Sequence, residues 1–362
     1  MLNTVYWGHG WLRVRLQKGS QQIECGVLFC MQNKPYLKNN ELFQQIKSKL
    51  PNVNLSNEDI KRLLDNIPYQ DLFKGYKNTK LKLKNGTFVR GMSLNLLYQI
   101  HWLDLSLSEL LLKFSLETEK HLKAQLSNIV VNYGVDYEEY LSRFRYKNTS
   151  NKVLHKINEF IEADQDNYFS KAKEEYSGCI PSWYLIHHLS LGQVINWYSI
   201  LRPPAKQEIV NSFFSNDVRL TLNKSEDQKE LFKSFLDYIL EVRNKSAHGN
   251  KAIGLKLDTN LQNRLIEQTP FSPYFKRNKE KIIVSDIYNF FVIVIALSGI
   301  ESFSVNIIND VLYYFQYNSS REKNPLYSLG LTVYDLYDVN QDNLNKLIEF
   351  VNQKHNLNIH TL

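Results

Sequence analysis

The sequence predicts an all-α fold, and two observations carry that expectation. Over 362 residues there are only 14 glycines and 9 prolines, too few turn-makers for a protein built from many short strands. Apolar residues recur at steps of three and four, and Ser-x-x-Asp/Glu/Gln spacings stand ahead of several such runs, as helix N-termini require.

The first thirty residues, with Tyr6, Trp7, Trp11, Cys25 and Cys30, show no clear period and read as an extension (1–30). Met31 is the expected initiator, because "MQNKPYLKNNELFQQIKSKL" opens like a folded domain. Residues 31–90 form an N-terminal helical and basic loop segment. Within it Ser56 and Asp59 have capping-box spacing ahead of a helix over 56–67, and "YQDLFKGYKNTKLKLKNGTFVRG" is expected as a loop or short hairpin.

Residues 91–316 form the main helical domain. Its first block runs from near Ser93 to about Tyr133, and the Ser106/Glu109 spacing predicts a break inside it. Leu112, Leu116, Leu122 and Leu126 share one face, with Glu119 at its edge and Lys123 beside it. A polar loop is expected over 148–178, then one buried helix over 181–201 with Pro181 near its first turn. Ser225 and Gln228 make a third capping-box spacing, and Leu231, Phe235, Ile239 and Val242 form the apolar stripe of the helix that follows. Gly249-Asn250 stops it. A long apolar helix is expected over 285–315. The remainder, 317–362, reads as a loop to about residue 340 followed by the amphipathic helix "QDNLNKLIEFVNQKHN".

With 43% hydrophobic and 22% charged residues the chain is globular rather than disordered. The formal charge of +7 favours polyanionic partners. Cys25, Cys30 and Cys179 are too few for a disulfide framework or a structural zinc site, so reduced thiols are expected. The apolar run "FFVIVIAL" (290–297) is too short for a membrane span, and no secretory signal is evident. A cytoplasmic protein with no membrane partner follows as the expectation.

The chemistry concentrates in "RNKSAH". Basic residues at a helix end complement the macrodipole, which is one reading of Arg243, Lys245 and His248. The other is catalytic: a histidine exchanges protons near neutral pH, and an arginine offers a charged fork to phosphate oxygens. Asn244 is placed to position the phosphate or orient the histidine. Five helical steps turn about 500°, so Arg243 and His248 diverge by roughly 140° on a straight helix. Either the helix ends or distorts before His248, which Gly249 permits, or two chains contribute.

"VRNKSAHGN" resembles the RNase motif of HEPN domains, with Arg243, Asn244 and His248 at its fixed positions. The chain also resembles the Abi (AbiD/AbiF-like) family of bacterial abortive-infection proteins. That likeness runs through "KPYL", "LFQQIKSKL", "DIKRLLDNIPYQDLFKGY", "LETEKHLKAQL" and "PSWYLIHHLSLGQVINWYSIL" to "RNKSAH". A departure is Gly249, where many members carry a second His or Asn. The resemblance implies a HEPN-like helical bundle with added N- and C-terminal helices. It also implies a metal-independent endoribonuclease that needs no cofactor and leaves a 2′,3′-cyclic phosphate, acting as a homodimer whose two motifs meet across a two-fold axis. Glu119 would support Arg243, and Lys245 reads as a solvated charge or a phosphate contact.

An RNA backbone would suit the acid-free stretch holding Lys74, Lys77, Lys80, Lys82, Lys84 and Arg90, and a second patch at Lys276, Arg277, Lys279 and Lys281. Expected partners are RNA, as substrate or regulator, and a phage-encoded trigger or an antitoxin. The competing reading is a non-catalytic RNA-binding module acting as scaffold or antitoxin. His187 and His188 read as buried or partner-facing, and Trp183 and Trp197 as core.

Overall fold

The structure is a computed structural model that describes residues 39–50, 53–76 and 79–359. The expected extension, Met31, Cys25, Cys30 and Lys77 lie outside the described residues. The chain divides into Met1–Leu42 and Phe43–Leu362, and the packing described below belongs to the second unit. Among the described residues there are seventeen α-helices and two very short strands, so the fold is all-α.

Helix α1 (Asn39–Lys49) carries Glu41 in its first turn and Lys47 and Lys49 in its last, which suits its dipole. Before α2 (Asn57–Leu64) the Ser56 hydroxyl accepts from the Asp59 N–H at 3.0 Å, as the spacing requires. The expected loop or hairpin opens instead with a short helix, α3 (Tyr69–Phe73). Its remainder does fold back, with Lys82 bridged antiparallel to Phe88 and Leu83 N–H donating to Thr87 O at 2.9 Å.

Ser93 caps α4 (Leu94–Val130) by accepting from Leu96 N–H at 3.1 Å. The break expected at Ser106 does not occur. Its hydroxyl donates to the Trp102 carbonyl one turn back, so the residue serves the helix interior rather than a new N-terminus. After α5 (Tyr137–Tyr140), α6 (Asn151–Ala163) and α7 (Tyr168–Glu175) replace the loop expected over 148–178. Leu154, Ile157 and Ile161 form a buried stripe on α6 that its polar composition disguises.

The single helix expected over 181–201 is two, α8 (Ser182–His188) and α9 (Leu191–Ile200). Ser190 and Gln193 cap each other's backbone at the break, with Ser190 N–H donating to Gln193 Oε1 at 2.9 Å. Trp197 is buried and donates to Tyr146 OH at 3.0 Å, whereas Trp183 is 50% exposed and is not core. His187 is exposed, and His188 stacks on Tyr168 with ring centroids 4.3 Å apart.

Helices α10 (Pro203–Phe213) and α11 (Asn216–Thr221) lead to α12 (Ser225–Ala247). The expected Ser225/Gln228 box is not made. Both side chains turn to Gln207, Ser225 donating to its Oε1 and Gln228 accepting from its Nε2 at 2.6 Å, so they tie α12 to α10. Beyond α13 (Asn263–Ile266), the pair β1 (Arg277–Asn278) and β2 (Lys281–Ile282) is held to the next helix by Asn289. That side chain accepts from Lys276 N–H and donates to Lys276 O and Ile283 O.

The apolar helix expected over 285–315 is also split, into α14 (Ile287–Leu297) and α15 (Glu301–Ser319). At the break Ser304 donates to the Ser298 hydroxyl, which donates to Ile300 O. A Cβ on Gly299 would lie 2.9 Å from Ser212 O, so only glycine lets the chain pass there. Helix α16 (Val333–Tyr337), capped by Thr332 and Asp335, interrupts the expected tail loop, and α17 (Gln341–His355) is the amphipathic closing helix.

Helix α4 is the axis of the fold. Its 37 residues span about 55 Å and pack against α3, α8, α9, α10, α12, α14 and α15. Every residue of α14 is buried, so "FFVIVIAL" is interior. No described helix is long and apolar enough to cross a membrane.

Candidate active site

Helix α12 lies along α4 with Leu231, Phe235, Ile239 and Val242 fully buried. That register sets where the motif points. Arg243 comes next after Val242 and reaches α4, where its Nε stands 3.9 Å from Glu119 Oε2. Glu119 is only 6% exposed, although it interrupts an apolar face. Its other oxygen lies 2.8 Å from Lys123 Nζ, and Lys123 also donates to His187 O at the end of α8. Arg243 donates to Asn244 Oδ1 at 3.2 Å. Glu119 Oε2 and Arg243 Nε are both buried without a hydrogen bond, a condition that buried polar atoms rarely tolerate.

The helix remains regular through Ala247. It then closes with Gly249 N–H bonded to Ser246 O and Asn250 N–H to Lys245 O, the six-to-one closure that a left-handed residue permits. Gly249 supplies that residue, at φ +69°. His248 is the C-cap and is exposed. The angular divergence of about 140° therefore stands, and no hydrogen bond joins His248 to Arg243 within one chain.

Lys245 is not a solvated charge. It pairs with Glu241 at 2.7 Å and also donates to Lys256 O. Glu241 accepts from Asp258 N–H, Thr259 N–H and the Thr259 hydroxyl. Its partial burial would raise its pKa, but these donors hold it down to about 2.

The loop after the motif is anchored from α4 by Asp104. This buried carboxylate accepts from Ala252 N–H at 3.1 Å, from Ile253 N–H at 2.7 Å and from Tyr337 OH at 3.3 Å. Desolvation outweighs those bonds and pushes its pKa up to about 6. Beside it Lys251 donates to Tyr76 OH at 2.6 Å and lies 3.9 Å above that ring, with burial lowering its pKa to about 8. Between this loop and the turn after α3 opens a cleft of about 450 Å³, lined among others by Asp71, Lys74, Lys245, Lys251 and Lys256.

Of the basic residues predicted for RNA, Lys74, Lys84 and Arg90 are exposed. Lys279 and Lys281 are exposed as well, while Lys80, Lys82, Lys276 and Arg277 have internal partners. Lys80 pairs with Asp335, and Lys82 donates to Phe73 O beneath the Phe88 ring. Lys276 pairs with Asp286 and Asp338, and Arg277 with Glu267. Sequence reasoning missed Asp104, Glu241, Lys251 and Lys256. Asp104 left a signal as an acid at helical spacing among Ile100, Leu107 and Leu111, and Glu241 as the acid four residues before Lys245.

No group of three or more His, Cys, Asp or Glu side chains suited to a metal ion occurs among the described residues. No curated protein and no solved structure matches the chain. The family model for Abi-like proteins matches residues 62–253, a span that takes in α4, all of α12 and the anchored loop as far as Ile253. That span is more than half of the sequence, and the chain belongs to the Abi-like protein family.

Proposed function

We propose that the protein is a metal-independent endoribonuclease of an abortive-infection system, acting as a homodimer in which two α12 ends share one cleft. The observation that carries the reading is the division within one helix end. Arg243 is turned inward onto Glu119, while His248 stands exposed past the last turn with no side-chain partner among the described residues. A second copy supplies the complement that a single chain lacks.

In this reaction one His248 removes the proton of the ribose 2′-hydroxyl. The 2′-oxygen attacks phosphorus, and the 5′-oxygen leaves with a proton from the second copy's His248, giving a 2′,3′-cyclic phosphate and a 5′-hydroxyl. Arg243 opposes the charge that accumulates on the phosphoryl oxygens. Asn244 holds the guanidinium edge. Such an enzyme must be restrained in healthy cells, and a regulatory RNA, an antitoxin or a phage product would set its release.

The test incubates purified wild type and His248→Ala with total RNA in EDTA. Loss of cleavage on the order of 10²- to 10⁴-fold in the variant is expected for removal of an acid–base group. Equal cleavage by both proteins removes His248 from the mechanism, and RNA binding without cleavage by wild type favours a scaffold or antitoxin.

A further inference from the structure

We propose that the cleft between the Lys74–Tyr76 turn and the loop following α12 binds the phosphate backbone of single-stranded RNA, seating a phosphate beside the end of the motif. The proposal takes its ligand from the RNA reading above and assigns the holding groups: Lys74, Lys251 and Lys256.

Charge is the first argument. Four lysines line the cleft against one carboxylate, Asp71, and only Lys245 among the four is matched by an acid, Glu241 behind it. Lys74 and Lys256 are exposed and form no ion pair among the described residues, unlike Lys80, Lys113, Lys276 and Arg277, which acids match. Lys251 is the second. An ammonium has three donors, and the hydroxyl of Tyr76 takes one of them. Asp104 lies nearby, but its oxygens serve Ala252 and Ile253 N–H and Tyr337 OH. Two donors of a largely buried cation therefore remain for whatever occupies the cleft, and phosphate oxygens meet that need.

The third argument is rigidity. Gly75 and Gly254 adopt φ +93° and +66°, and a Cβ on Gly254 would lie 2.5 Å from Gly75 O. The two walls thus touch backbone to backbone, which fixes the spacing of Lys74 from Lys251 before any ligand arrives. Finally, Lys245, Gly249 and Asn250 also line the cleft, and they flank His248 in the chain. A strand seated there runs on to the exposed histidine.

The experiment uses the full chain carrying His248→Ala, so that the probe stays intact, and follows fluorescence anisotropy of labelled single-stranded RNA through a salt series. Adding Lys74→Gln and Lys256→Gln is expected to weaken binding on the order of tenfold near 0.1 M salt. It should also reduce the slope of log K against log salt by about 1.4, at about 0.7 per phosphate contact. Lys251→Met weakens it further, and thermal melts show whether that buried change spares the fold. A control carrying Lys113→Gln and Lys346→Gln, which removes equal charge from other surfaces, retains affinity. An unchanged slope in the cleft variants, or an equal loss in the control, overturns the proposal. Cleft-dependent binding of RNA that wild type never cuts supports this site and overturns the nuclease. Cleavage that ignores the cleft lysines does the reverse.

Discussion

Two buried acids on α4 are handled in opposite ways. Asp104 and Glu119 lie on one helix and are 4% and 6% exposed. Asp104 is saturated: two backbone N–H groups and a tyrosine hydroxyl converge on it. Glu119 is served on one oxygen by Lys123, while the other faces Arg243 at 3.9 Å without a hydrogen bond. A saturated carboxylate holds structure in place. A half-satisfied one beside a guanidinium keeps a charge oriented while leaving its donors for another ligand. The difference in hydrogen bonding, not burial, separates the anchor from the candidate site.

The sharpest way to break that comparison is Asp104→Ala. Leaving two buried N–H groups unpaired is expected to cost about 4 kcal/mol, read from urea or thermal unfolding. A cost below that of altering Glu119 would erase the distinction.

Next in size is pH. Burial raises the Asp104 pKa from 3.8 to about 6, so the folded chain holds this proton more tightly than the unfolded one. The group's contribution is most favourable below pH 4 and is lost as pH rises through 6, by about 3 kcal/mol over roughly two pKa units. Unfolding curves of wild type and Asp104→Asn at pH 4 to 7 should converge or diverge by that amount, and parallel curves refute it.

The smallest effect on stability belongs to Glu119→Gln, at about 1 kcal/mol or less, because the amide still accepts from Lys123 and Arg243 is partly solvated. On the nuclease reading its cleavage falls about tenfold as Arg243 loses its orienting charge. A large stability loss with unaltered activity would make Glu119 a second anchor.

What was legible in the sequence follows the range of the forces involved. Ser93 and Ser56 cap helices whose apolar spacing follows at once, and the stripe from Leu231 to Val242 fixes α12 by itself. The splits at Ser190 and at 298–300 were hidden because they fall inside continuous apolar runs, where composition outweighs a cap. Helix α6 was hidden for the opposite reason, its three core residues being diluted by polar neighbours. Arg243, Asn244 and His248 are contiguous and so can be found as a motif. Asp104, Tyr76 and Lys251 converge only through tertiary closure, and no local pattern links them.

The uninterrupted course of α4 has a mechanical consequence. Asp104 and Glu119 are fifteen residues apart on one rod, which places them about 22 Å apart along its axis and about 60° apart around it. The tether of the post-motif loop and the partner of Arg243 are thus set relative to each other by helix geometry alone. Stretching one against the other means bending a packed helix. On the nuclease reading, control therefore acts more readily from outside, by gating approach to the helix end or by bringing two copies together.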